Sequence, residues 1–241
     1  MNLSRYERQI KVIGSAGQDR LGGSSVFIVG CGGLGCPIAI YLAASGVGNI
    51  TIIDDDVVSL TNLHRQIIFK ESDIGLPKVA VAKKYLSDLN SEVNIFAIKD
   101  RLNKDNSKKY LEGVDLVVVG CDNYATRYDV NDACSKLGQR LVNASVLGDE
   151  GNVSFFDMKN GCYACDFPEA PPSNSIPLPG DVGVLGSLAG VVGTMAATMA
   201  IEILIGNEIN YVNKIFTFDS VSFRSAILPL EKNTFCKTCQ F

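Results

Sequence analysis

Two residue sets in this chain have types and spacings that do chemistry. The first is Gly30-Cys31-Gly32-Gly33-Leu34-Gly35, a G-x-G-x-x-G pattern set between an apolar run and a helical pattern. Its glycines permit a tight turn and let backbone N–H groups approach phosphate oxygens, while the helix start adds partial positive charge. Asp54, 19 residues past Gly35, closes the next strand, where a carboxylate accepts hydrogen bonds from a ribose hydroxyl. On these residues alone an NAD-dependent enzyme and an ATP-binding enzyme fit equally well. The second set is Cys162-Tyr163-Ala164-Cys165 with Cys236-Lys237-Thr238-Cys239, two C-x-x-C pairs of zinc-ligand spacing. Seventy residues separate the pairs, so a shared metal would staple the last residues back onto the region near Cys162. Four thiolates close a tetrahedral shell and leave no position for water, which makes such a zinc structural. Two redox-active pairs are the alternative.

A cluster of charges follows the glycine loop. Thr61-Asn62-Leu63-His64-Arg65-Gln66 comes soon after Asp54-Asp55-Asp56, and Lys78 follows Pro77. A nicotinamide needs no such cations, whereas a nucleoside triphosphate with magnesium does. Arg65 can fork onto phosphate oxygens, Lys78 acts as a point charge, and Asn62 can donate to a phosphate. Asp122, in Cys121-Asp122-Asn123 after an apolar strand, is a magnesium ligand by type and place. Taken singly, Arg65 and Lys78 read equally as solvated charges and Asp122 as a helix cap.

The elements that must position these residues follow from periodicity. Ser4 to Ile13 reads as a short amphipathic helix, Ser25 to Val29 as the first strand, Pro37 to Ser45 as a helix and Asn49 to Ile53 as the second strand. Lys78 to Leu89 is a further helix, Val93 to Ile98 and Leu116 to Val119 are strands, Tyr128 to Leu137 is a helix and Leu141 to Ser145 a strand. Val153 to Phe156 and Lys214 to Asp219 read as antiparallel strands, and the proline-rich stretch from Glu169 to Gly180 as an ordered loop or lid. The expected fold is α/β, a Rossmann-like mostly parallel sheet with an antiparallel C-terminal portion and a four-cysteine zinc site, built as one domain over 1–241.

Composition narrows the class. Among 241 residues, 46% are hydrophobic and the formal net charge is −4, which suits a globular core and argues against a nucleic-acid binder. The first residues carry charges and no apolar signal segment, and eight dispersed cysteines point to a reducing cytoplasm. Val182 to Ile201 is uncharged and contains Gly186-x-x-x-Gly190, but its many glycines and threonines read as a helix buried in a core or subunit interface rather than a membrane span.

With these motifs in hand, the sequence closely resembles the MoeB/ThiF family of ubiquitin-activating-enzyme-like adenylyltransferases. The resemblance rests on Arg5-Tyr6-Glu7-Arg8-Gln9-Ile10, the glycine loop, Asn62-Leu63-His64-Arg65-Gln66, Pro77-Lys78 and Cys121-Asp122-Asn123, and runs from about Ser4 to Cys239. It implies ATP and magnesium binding, adenylation of the C-terminal glycine of a small ubiquitin-like sulfur-carrier protein ending in Gly-Gly, and pyrophosphate release. By the same resemblance Asp54 holds the ribose, Arg65 and Lys78 the triphosphate and Asp122 the metal, while Arg8 reaches the γ-phosphate from the neighbouring subunit of a homodimer. The expected nucleotide site is Gly30, Gly32, Gly33, Gly35, Asp54, Asp56, Thr61, Asn62, Leu63, His64, Arg65, Lys78, Asp122 and Asn123. His64, the one histidine, reads as a packing residue.

One departure stands out. Relatives that resemble this stretch most carry a cysteine about two residues before the position of Asp181, where this chain has Pro179. The expectation is adenylation without a covalent carrier intermediate on the loop, with sulfur coming from a separate donor. The sequence also closes at Phe241, without the rhodanese domain found in some longer relatives. Adenylation of a peptide or specialised-metabolite carrier is the alternative, as is a non-catalytic scaffold, which would be expected to have lost phosphate ligands.

Overall fold

Short apolar runs ending in glycine or aspartate are too brief for helices, and in the computed structural model, which describes residues 3–170 and 182–240, they form one sheet. Its strands are β1 (Ser25–Val29), β2 (Asn49–Ile53), β3 (Asn94–Ile98), β4 (Leu116–Val119), β5 (Leu141–Leu147), β6 (Glu150–Phe156), β7 (Lys214–Asp219) and β8 (Arg224–Pro229). They lie in the order β3-β2-β1-β4-β5-β6-β7-β8. Strands β1 to β5 are parallel to their neighbours, and pairing turns antiparallel from β5–β6 onward. The Rossmann-like sheet with an antiparallel C-terminal portion is therefore what forms.

Crossover helices cover both faces. They are α1 (Glu7–Gly23), α2 (Gly35–Ala44), α3 (Lys78–Leu89), α4 (Ser107–Leu111), α5 (Tyr124–Leu137), α6 (Tyr163–Asp166) and α7 (Gly186–Ile205). One core layer joins α2, α3 and α7 to the sheet through residues such as Ile28, Leu42, Leu86 and Val192. The other joins α4, α5 and α6 through Phe27, Leu111, Val130 and Tyr163, and it includes all four cysteines of the two pairs.

Several boundaries differ from the periodicity reading. The first helical stretch ends at Ile13, as its periodicity predicts, where Gly14 (φ 73°, ψ 165°) leaves the helical conformation, and a second helical stretch that the periodicity does not show follows it to Gly23. Helix α5 starts at Tyr124 rather than Tyr128, since Asn123 caps it by accepting from the Thr126 N–H at 3.2 Å. Such a cap contributes about 1 kcal/mol. Strand β8 and helices α4 and α6 had no clear sequence pattern.

Helix α7 begins four residues later than expected and reaches Ile205. Its small residues serve close packing: a Cβ at Gly193 would lie 2.4 Å from the Pro37 side chain, and one at Gly186 would lie 2.2 Å from the His64 carbonyl oxygen. A Cβ at Gly190 would meet open space, so of the G-x-x-x-G pair Gly186 is the one that close packing requires. The helix is long and apolar enough to cross a membrane by composition, yet Leu188, Val192, Ala196 and Ile203 are buried in the core beside the sheet.

Candidate active site

Parallel strands end together, and their carboxyl ends present loops to a common crevice. Here the ends of β1, β2 and β4 open into a cavity of about 740 Å³. The glycine loop forms its floor. Gly30 takes φ +97°, and the Gly35 Cα sits so close to the Gly30 carbonyl that a Cβ would lie 2.0 Å from its oxygen. Only glycine allows this turn. Helix α2 begins at its end with no side chain capping it; the Cys36 N–H donates back to the Gly32 carbonyl at 2.9 Å and Pro37 has no N–H, so in the helix's first turn the Gly35 N–H is the donor left over for an anion.

Asp54, at the end of β2, holds the loop in place. Its carboxylate accepts from the Cys31 N–H at 2.7 Å and from the Asp56 N–H at 2.9 Å. Burial pushes its pKa up, while these two hydrogen bonds and the Lys78 charge pull it partly back. Lys78 is buried at the first turn of α3, the positive end of a helix dipole, where a cation is disfavoured by about 0.3–1 kcal/mol. Asp56 compensates it through a 2.9 Å ion pair. A nearly buried cation in this position is one held ready for an anion larger than Asp56.

Arg65 donates to the Thr61 carbonyl at 3.0 Å and meets the His64 Nε2 at 2.7 Å, so the segment between 61 and 65 folds around its guanidinium. Its stem and Ala189 of α7 sandwich Gly33, each 3.3 Å from where a Cβ would lie. Asp122 is exposed to the cavity, and because Asn123 provides the cap of α5, the Asp122 carboxylate is not spent on that helix.

Of the expected nucleotide residues, Gly30, Gly32, Gly33, Asp54, Asp56, Thr61, Asn62, His64, Arg65, Lys78, Asp122 and Asn123 line this one cavity. Gly35 supports the turn from beneath, and Leu63 packs on the core, so neither lines it. Arg8 is exposed on α1 and does not line the cavity. The Pro179 and Asp181 positions fall outside the described residues.

Sequence reasoning missed Arg101, Arg127 and the role of Gln66. Arg101 pairs with Asp55 at 3.0 Å, which raises its pKa, and lines the cavity wall. Nothing in its local sequence marks it. Arg127 and Gln66 are buried and line the cavity, and among the described residues the Gln66 Oε1 has no hydrogen-bond partner. Cys31 and Cys121, near the loop, have thiols pushed up, Cys31 first by its Cys36 contact and then by burial, Cys121 by burial.

The four-cysteine centre is a second, separate constellation. Cys162 Sγ lies 3.9 Å from Cys165 Sγ and 3.6 Å from Cys236 Sγ, and Cys165 Sγ lies 3.4 Å from Cys239 Sγ. A tetrahedron of Zn–S bonds of about 2.3 Å has S···S edges of about 3.8 Å. The four buried sulfurs, all within 4.8 Å of one another, are spaced to receive such a metal and are too far apart for disulfides.

The chain is similar to known proteins in sequence and in fold. The chain is 44% identical over 242 residues to the "Adenylyltransferase and sulfurtransferase MOCS3" of Culex quinquefasciatus, covering 98% of this chain and 55% of that protein. It spans about half the length of that relative. It is 38% identical over 245 residues to the "Sulfur carrier protein adenylyltransferase" of Thermus thermophilus, covering 98% of this chain and 90% of that protein. Among solved structures, E. coli MccB with ATP matches at a TM-score of 0.86 and 27% identity, covering 100% of this chain and 75% of that one. The ThiF family model matches residues 6–238, from the first helix to the residue before Cys239, and the chain belongs to the ThiF family.

Proposed function

We propose that this protein is an ATP-dependent adenylyltransferase that activates the C-terminal glycine carboxylate of a small ubiquitin-like sulfur-carrier protein ending in Gly-Gly. The observation that carries this reading is the gathering of the glycine loop, Arg65, Lys78 and Asp122 in one cavity. Relatives named as adenylyltransferases, 38–44% identical, support it, the 38% identical one being named for a sulfur carrier protein.

In the reaction a carboxylate oxygen attacks the α-phosphorus of ATP, a new P–O bond forms, and the bond to the β-phosphate oxygen breaks with pyrophosphate leaving. The attacking group is ionised at pH 7, so no general base is needed. Catalysis is then positioning and relief of charge repulsion. The loop N–H groups and Lys78 receive phosphate oxygens, Arg65 forks onto them, Asp54 accepts from the ribose, and Asp122 holds magnesium, which screens the triphosphate. Arg8, remote from its own cavity, serves the γ-phosphate of a second copy in a homodimer. The exposed apolar face of α7 and β7, with Val191, Met195 and Phe216, is the surface that would bury against that copy.

Zinc is the metal proposed for the four cysteines, given the sulfur-only donor set and its spacing. The unbridged cysteines of the described residues suit a reducing cytoplasm. With no cysteine between Cys165 and Cys236, sulfur reaches the activated carrier from a separate donor. We read residues 1–241 as one catalytic unit.

A second reading is adenylation of a peptide, favoured by the MccB likeness, which includes MccB crystallised with MccA at a TM-score of 0.87 and 26% identity. A non-catalytic scaffold fits poorly, because Arg65, Lys78 and Asp122 all remain in the cavity. Exchange of labelled pyrophosphate into ATP, run with each Gly-Gly-ending carrier of the source organism, tests the main reading. Exchange with a carrier supports it. Absence of exchange with every carrier, while ATP still binds, turns the assignment to a peptide substrate.

A further inference from the structure

Helix α5 belongs to both constellations. Its first residue follows the Cys121-Asp122-Asn123 loop, and its first turn carries Arg127, only 5% exposed. The Arg127 guanidinium donates to the Cys121 carbonyl, one residue before Asp122, and to the Asn143 side-chain oxygen on β5. Among the described residues no carboxylate pairs with it. One turn further on, Asn131 is fully buried. Its Nδ2 donates to Cys162 Sγ at 3.6 Å, and its Oδ1 accepts from the Tyr163 N–H at 2.9 Å. Asp132 then accepts from the Thr238 hydroxyl at 2.9 Å, and Ser135 donates to the Thr238 carbonyl at 3.0 Å.

One helix thus grips both cysteine pairs with one stretch and the Asp122 loop with another. Arg127 and Asn131 stand four residues apart, on the same helix face. A donor to a metal-binding thiolate favours its ionised, ligating form and fixes its direction. A guanidinium spanning two acceptors holds a backbone carbonyl in a way that a lysine does not.

We propose that Arg127 and Asn131 are positioning residues that join the four-cysteine centre to the nucleotide site. A metal held by the cysteines fixes α5, and α5 fixes the direction of Asp122. None of the four cysteines lines the cavity. This rests on the reading of the cavity as a magnesium-ATP site.

The test uses the full-length zinc-loaded protein without carrier and measures zinc affinity by equilibrium competition with a chromogenic chelator. Binding linkage is reciprocal, so saturating magnesium-ATP tightens zinc binding about fivefold or more in the wild type. Asn131→Asp, which keeps the acceptor for Tyr163 and loses the donor to Cys162, binds zinc about tenfold more weakly and binds magnesium-ATP more weakly. Arg127→Lys raises the half-saturating magnesium concentration, leaves the nucleotide-free zinc affinity unchanged, and abolishes its dependence on ATP. The wild-type comparison stands without any variant folding. A zinc affinity that is the same with and without bound magnesium-ATP overturns the proposal. A wild-type protein that binds no magnesium-ATP overturns the adenylation reading instead.

Discussion

The two halves of the sheet solve different problems. In the parallel half, β1 and β4 are buried, and the polar chemistry is gathered at their carboxyl ends. In the antiparallel half, all six residues of β8 are exposed, and β7 has one buried residue. Central strands covered on both faces draw their order from apolar burial. A thin edge has little of that, and here the nearby chain is tied back by four cysteines in the core layer under α5. The difference teaches that the cavity is built where apolar burial already orders the sheet, whereas the antiparallel edge depends on added ties. Damage to one should be separable from damage to the other, except along α5.

Substitutions can break that division or sharpen it. The largest effect on chemistry is expected from Asp122→Lys. Pyrophosphate exchange should fall by about 10³-fold or more, since metal screening is worth several kcal/mol, while circular dichroism stays unchanged. The converse case is Cys236→Ser with Cys239→Ser. Loss of metal should cost about 3 kcal/mol or more and lower Tm by about 6–12 °C in a differential scan. Hydrogen exchange should then rise first in β7 and β8.

Gly186→Val probes the packing between halves. Its Cβ would press on the His64 carbonyl oxygen, so either the residue 61–65 segment or α7 must move. Overpacking costs about 1–3 kcal/mol, and calorimetry should show magnesium-ATP affinity reduced about tenfold if that segment is what yields.

A milder effect is expected from pH. Because burial raises the Asp54 pKa above the usual 3.8, acidification protonates it earlier than an ordinary carboxylate. ATP affinity should therefore begin to fall above that value, and Asp54→Asn should flatten the profile. The same shift makes this group's contribution to stability greatest in acid and lost as pH rises through its folded pKa. The smallest effect is expected at Ile227→Ser on β8, exposed in the described chain, where urea unfolding should change by no more than about 0.5 kcal/mol.

Much of this was legible in the sequence where a residue has one physical reason to be present. The apolar runs at 25–29, 49–53 and 116–119 coincide with β1, β2 and β4, because buried parallel strands leave a continuous apolar signature. The glycine loop was equally plain, whereas Lys78 and Asp122 stood out only in combination with it, and the fold brings all three to one cavity. Arg127 was not. It sits in the helical sequence Tyr124-Ala-Thr-Arg-Tyr, where an arginine reads as surface, and only the fold reveals that it is buried. Strand β8 was hidden because its residues face solvent and lack alternation that a core would impose. The kink at Gly14 ends the first periodic stretch where the sequence predicts, and the helical stretch after it to Gly23 lacked a periodic signature of its own.

The strand order has a consequence for biosynthesis. Strand β1 is made first, β2 and then β3 add on one side of it, and β4 through β8 add one after another on the other side. No strand has to be inserted between two that are already paired. A nascent chain emerging at about 5–20 residues per second can extend the sheet by templated growth at its edges. The nucleotide cavity, lined by residues from Val29 to Ala189, has all its parts before β7 is synthesised. Cys236 and Cys239 come later still, so the metal proposed for them would be captured only after every residue that lines the cavity has been made.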